Sequence, residues 1–168
     1  MSILSSTKTG KLGVYTEFPS NIYSLKNAIR EAIDKNGLEC SLNHIDVSRI
    51  TNFNRLFEDF KEFNGDISKW DVSNARSMYK MFYNTQFNGD ISKWDVGKVE
   101  DMSSMFSFSI FNGDISKWNV SNVEDMIRMF AYSDFNKDIS IWKINSKCNI
   151  KDMFYGCPIK DEYKPKYL

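Results

Sequence analysis

Four kinds of side chain in this sequence have the types and spacing to do chemistry. His44 is the single histidine. A nucleophile, base and orienting group must converge at fixed geometry, and His44 stands at a repeat position that Lys69, Lys93 and Lys117 fill further along. An ordinary exposed imidazole is expected there, not a catalytic one. The three cysteines, Cys40, Cys148 and Cys157, lack paired metal-ligand spacing, and their odd number gives no disulfide framework. They read as reduced, structural thiols. Asp66, Asp90, Asp114 and Asp138 recur in register beside Asn64, Asn88, Asn112 and Asn136. Such a column could hold calcium between successive units, because hard cations take several oxygens. Alternatively, each side chain satisfies backbone amides in its own turn and the next. The dense Gly-Asp pattern of calcium-binding β-solenoids is missing, which favours the turn reading. Tryptophans interleaved with lysines would suit a stacking groove for single-stranded nucleic acid, but alternation turns the tryptophans inward. Lysine plus arginine equals aspartate plus glutamate at 22 each, so no global field draws a polyanion. No cofactor, metal or nucleic acid is expected.

The elements that hold these residues come from a repeat. Trp70, Trp94, Trp118 and Trp142 fall 24 residues apart, and a fixed period of this length signals a repeat architecture. Close copies of one line begin at Phe63, Phe87 and Phe111; the third reads Phe-Asn-Gly-Asp-Ile-Ser-Lys-Trp-Asn-Val-Ser-Asn-Val-Glu-Asp-Met-Ile-Arg-Met-Phe. A degenerate first copy aligns at an offset of 25 with Ile45 in place of tryptophan. The copy from Phe135 drifts, with Lys137 for glycine, Ile141 for lysine and Lys143 for aspartate. The organisation is therefore a lead-in and capping helix over 1–37, repeats over 38–62, 63–86, 87–110, 111–134 and 135–158, and a tail over 159–168 expected to fray. Leu25, Ala28, Ile29, Ala32 and Ile33 recur at helical spacing, with Ser24 as cap and Gly37 as terminator. Within a unit, Ile91, Trp94 and Val96 have strand spacing. Glu100 and Asp101 then open a short helical segment with Met102, Met105 and Phe106 on one face. The predicted fold is an α/β repeat: a short leucine-rich-repeat-like solenoid, parallel strands on one face, short helical segments on the other, and an N-terminal helical cap. Methionines and tryptophans are its core.

The spacing Ile-x-x-Trp-x-Val-x-x-Val over residues 91–99 and 115–123 resembles the leucine-rich-repeat strand signature. The fuller line resembles the BspA-like leucine-rich repeats of bacterial surface proteins, also described as a mycoplasma-type lipoprotein repeat, over roughly residues 38–157. What that resemblance implies is a non-enzymatic binding module, often displayed on the cell and engaged in adhesion. This chain departs from it in having few repeats and no lipid-anchor cysteine near Met1.

Where a partner would dock follows from where the copies disagree. On the outward strand face one column runs His44, Lys69, Lys93, Lys117, Ile141 and the next Asp46, Asp71, Asp95, Asn119, Lys143. The C-terminal end of that face, Lys117, Asn119, Ile141 and Lys143, is more basic and carries an outward apolar residue, as a partner site or a strand-edge homodimer contact would. The variable return loops after each Met-Phe supply a second surface, with Phe108, Ile110 and Tyr132. A protein partner is expected. The alternatives are a small intracellular inhibitor or immunity-type protein, phage or mobile-element encoded, that occludes an enzyme, and a surface adhesin fragment. The first residues show no signal pattern, which places the chain in the cytoplasm, or at the cell surface if a leader has been removed. No stretch is long enough to cross a membrane, and insertion is not expected.

Overall fold

The computed structural model describes residues 8–10 and 13–166. The lead-in opens as an antiparallel hairpin of β1 (Lys8–Gly10) and β2 (Gly13–Tyr15). It then runs alongside the first repeat, where Thr16 N donates to His44 O at 2.9 Å and Asp46 N donates to Glu17 O at 2.8 Å. Helix α1 (Ile22–Asn36) follows and lays Leu25, Ile29 and Ala32 against the first unit. Asn21, not Ser24, is its cap. The Asn21 side chain accepts from the amides of Tyr23 and Ser24 at 3.0 Å each, and Ser24 Oγ accepts from Asn21 N at 3.1 Å. Serine thus stands where a capping box usually has glutamate or glutamine. Gly37 ends the helix at φ 84°, its N–H donating to Ile33 O.

The units stack as the period requires, but they are not built from strands and helices. Among the described residues the strands are β1 and β2, α1 is the one α-helix, and Asp161–Tyr163 adds a 3₁₀ turn. The predicted parallel strands at Ile91, Trp94, Val96 and their copies are absent, and so are the short helical segments from Met102 to Phe106 and theirs; turns and irregular backbone occupy both. This overturns the leucine-rich-repeat-like α/β solenoid. Parallel pairing survives as isolated bridges joining Asn52, Ser77, Asp101, Asp125 and Asn149 in sequence, at the point where the helical segment was expected to begin.

The reason is a pair of left-handed positions in each unit from the second to the fifth, with Arg55 alone, at φ 54°, in the first. Lys80, Ser104, Arg128 and Asp152 have φ between 53° and 56°, and Asn84, Phe108 and Tyr132 between 54° and 58°; Gly156 completes the second column at 68°. A left-handed residue stops a right-handed helix. A helix would spend its N–H groups on carbonyls four residues back. Here they point along the stack instead: Met102, Ser104, Phe106 and Phe108 donate to Asp125, Ile127, Met129 and Ala131 of the next unit at 2.8–2.9 Å. The same four-rung ladder joins each unit to the next from the first to the fifth, with an outer rung missing between the first two.

Side chains complete the stacking. Each indole N–H donates to a carbonyl of the unit before: Trp70 to Leu42, Trp94 to Ile67, Trp118 to Ile91 and Trp142 to Ile115, at 3.0–3.3 Å. Asn64, Asn88 and Asn112 each accept, at 2.8–2.9 Å, from the backbone amide of the next asparagine in the column. Phe57, Phe82, Phe106, Phe130 and Phe154 form one column of near-parallel rings 5.2–5.7 Å apart, and Phe63, Phe87, Phe111 and Phe135 a second. The tryptophans are at most 5% exposed, as inward alternation implied. A Cβ on Gly113 would lie 2.8 Å from the Phe111 ring, a close approach that the glycines of the second, third and fourth units share. The start of the tail also keeps register. Ile159 is buried and Lys160 N donates to Asn136 Oδ1 at 3.2 Å, as in the asparagine column, before the 3₁₀ turn Asp161–Tyr163 leaves the repeat and Tyr163 O accepts from Ile139 N at 3.0 Å. Among the described residues no helix is long and apolar enough to cross a membrane.

Candidate functional site

The second left-handed column carries the most unusual surface. Polar or glycine residues suit this backbone, and Asn84 and Gly156 fill its ends. Phe108 and Tyr132 fill its middle, at φ 58° and 55°. An aromatic residue in this region costs about 1–2 kcal/mol relative to its relaxed backbone. Neither ring enters the core: Phe108 is 49% and Tyr132 51% exposed. They stack on each other with centroids 4.9 Å apart and planes 18° from parallel. Tyr83 meets the edge of Phe108 at 5.7 Å, and Tyr155 meets Tyr132 at 5.2 Å, nearly perpendicular. The result is an outward ridge of four aromatic rings along the stack.

The ladder beneath fixes this ridge. Phe108 N donates to Ala131 O and Tyr132 N to Tyr155 O, at 2.9 and 2.8 Å, while Ser109 and Ser133 anchor the following turns through hydroxyls that donate to Phe106 O and Phe130 O at 2.8 Å. Cations flank the rings. Lys80 Nζ lies 4.8 Å from the Tyr83 ring centre, and Arg128 pairs with Asp152 at 3.5 Å on an exposed surface. The Tyr155 hydroxyl beside it holds the Tyr132 hydroxyl above its usual range. Tyrosine, phenylalanine and arginine on a rigid frame are the residue types that anchor protein interfaces.

The structure divides the residues singled out from sequence. Phe108 and Tyr132 come together in the ridge. Ile110 is exposed nearby in the chain, its N–H donating to Thr85 O at 3.4 Å. Lys117, Asn119, Ile141 and Lys143 are all exposed and belong to another surface, where Ile141 borders a shallow hollow with Asn112, Asp114, Ser116, Lys137 and Asp138. Asn119 Oδ1 accepts from Ser121 N at 3.2 Å and from its hydroxyl at 2.8 Å, the same turn that Asp71 and Asp95 make. The change from aspartate to asparagine keeps the turn, which gives that substitution a local reason. Tyr83, Tyr155, Lys80 and Arg128 complete the ridge beyond the residues that sequence singles out; the aromatic residue recurring in each return loop is the signal for the two tyrosines.

The remaining chemical candidates are committed elsewhere. Asp66, Asp90, Asp114 and Asp138 accept from the amides of Ser68, Ser92, Ser116 and Ser140 at 2.9 Å. These bonds hold the Asp90, Asp114 and Asp138 carboxyls below the usual range. Among the described residues no three His, Cys, Asp or Glu side chains converge as metal ligands would. The three thiols are free and separate, and burial raises all of them, Cys148 to about 11 with help from Asp125, away from the thiolate that nucleophilic chemistry needs. His44 is half-buried and its carbonyl, not its ring, is what the lead-in engages.

Stacked copies of one line define a repeat-type protein. The model of the family described as "Mycoplasma protein of unknown function, DUF285" matches residues 23–110 and 86–162, and the chain belongs to that family. No curated protein and no solved structure matches it.

Proposed function

We propose that this chain is a non-enzymatic protein-binding module, the function its likeness to BspA-like repeats implies, and that it grips its partner through the ridge of Tyr83, Phe108, Tyr132 and Tyr155. One observation carries the reading: two half-exposed aromatic rings are stacked on a backbone conformation that disfavours them, although asparagine and glycine serve the same column elsewhere. The fold gains little from rings in that position, so their use lies outside the fold. Lys80 and Arg128 beside the rings favour a partner surface that brings carboxylates to the rim. The raised thiols support the non-enzymatic half of the reading.

The test exploits the column itself. Phe108→Asn with Tyr132→Asn removes both rings and installs the residue found at position 84. Affinity capture from the native cell with the wild-type chain should retain a protein partner that this variant loses, while the thermal midpoint stays level or rises. A partner retained by the variant, but lost with Ile141→Asp and Lys143→Asp, would move the site to the other face and overturn the reading.

A further inference from the structure

The four-rung ladder that joins successive units stops with its donors unused. Met126, Arg128, Phe130 and Tyr132 donate to Asn149, Lys151, Met153 and Tyr155 of the fifth unit at 2.8–3.0 Å. The corresponding amides of the fifth unit, Ile150, Asp152, Phe154 and Gly156, have no acceptor among the described residues. Beside them a cavity of about 550 Å³ opens between Trp142, Ile144, Cys148, Ile150 and Pro165. Its position explains its shape. Ile159 and Lys160 keep the register of a sixth unit, and the 3₁₀ turn Asp161–Tyr163 then leaves it, so the space that remains is where that unit's tryptophan and Met-x-x-Met-Phe run would pack. The Ile139 carbonyl, one unit beyond the Ile115 carbonyl that Trp142 uses, stands ready for such an indole. Lys143, Lys147 and Lys151 around this end form no ion pair among the described residues.

We propose that the C-terminal end of the stack is a docking edge for the second half of one further repeat unit supplied by a separate polypeptide. The occupant is a segment of the repeat's own chemistry: an aromatic anchor for the cavity, then an Asp-Met-x-x-Met-Phe-x run whose four alternate backbone carbonyls, at its first, third, fifth and seventh residues, continue the ladder. Continuity with the interface between the fourth and fifth units fixes this choice, because every requirement is one that the fourth unit already makes of the fifth. A second copy of the chain fits less well. Two-fold pairing of this edge would set N–H against N–H, and the opposite end, which has the carbonyls, lies beneath α1 with Leu56 and Phe57 fully buried. The edge is separate from the aromatic ridge and does not rest on its role.

The probe is a synthetic peptide copying residues 116–132, which contains Trp118 and the carbonyls of Asp125, Ile127, Met129 and Ala131. Titrated into the full-length chain with amide exchange read residue by residue, it should slow the amides of Ile150, Asp152, Phe154 and Gly156 about tenfold or more at saturation. The same peptide with Met126→Asp and Phe130→Asp should leave them unchanged. The Phe108→Asn, Tyr132→Asn variant should bind the probe as the wild type does, so failure here and failure of the ridge are separable. No protection at those four amides overturns the proposal. So does protection that arises without peptide and tracks concentration-dependent self-association, which would make a second copy the occupant.

Discussion

At the N-terminal end α1 lays Leu25, Ile29 and Ala32 over the first unit, Lys26 pairs with Asp59 at 2.9 Å and Arg30 sits over Phe60 at 5.6 Å. At the C-terminal end Ile144, Cys148, Ile150 and Phe154 are left half-buried, and Lys164 lies 5.9 Å from the Phe154 ring centre, where the other phenylalanines of that column meet a further ring. The two ends receive the same ladder with opposite polarity: carbonyls at the first, N–H groups at the last. A ladder of one direction cannot be closed by one device at both ends; a helix covers the first, and among the described residues no comparable element covers the last. Terminal units of stacked repeats need such covers because each unit's apolar face is buried only by its neighbour.

The comparison can be broken by substitution. Trp118→Ala, with a unit on either side, should cost about 3–5 kcal/mol, and Trp142→Ala at the open end clearly less, measured by denaturant unfolding. Equal losses would mean that the open end is as tightly packed as the middle. Ile29→Ala under the helical cap should cost about 2–5 kcal/mol, whereas Ile144→Ala at the open end should cost well under half of that. Asn21→Ala removes the capping box and should cost about 1 kcal/mol; with Ser24 left as the only cap, no loss would restore the boundary that sequence suggested. The smallest effect concerns acid. The Asp90, Asp114 and Asp138 carboxyls are held low by their turn amides, so the stability they contribute is present above the unfolded carboxyl pKa of about 3.9. It is lost as pH falls below that value through the depressed folded pKa. Asp114→Asn keeps the turn and should flatten part of the fall in thermal midpoint between about pH 5 and pH 2; an unchanged acid slope would show that Asp114 does not contribute.

The repeat's register, its buried columns and the capping helix were legible because each depends on apolar side chains recurring at a fixed distance. Trp94, Met105 and Phe106 point inward whatever the backbone between them does. The backbone itself was not legible. Met102, Met105 and Phe106 keep helical spacing across one turn, yet Ser104 is left-handed, and nothing in a serine, a lysine or an arginine announces that conformation as glycine does. Ile91, Trp94 and Val96 keep strand spacing, but the inter-unit hydrogen bonds that define a sheet are spent further on, from Met102 to Phe108, in the turn ladder. The candidate site was half legible for the same reason. Phe108 and Tyr132 stood out as large apolar residues in variable loops, while their meeting with Tyr83 and Tyr155, one position off the column, depends on the alternation of left- and right-handed residues.

The most direct measurement is amide exchange of the free chain, comparing two sets of residues one unit apart. Met126, Arg128, Phe130 and Tyr132 should exchange slowly, through global unfolding, and Ile150, Asp152, Phe154 and Gly156 should exchange fast. Equal, strong protection of both sets in a monomeric chain would contradict the account, because it would mean that the ladder does not end where the fifth unit does.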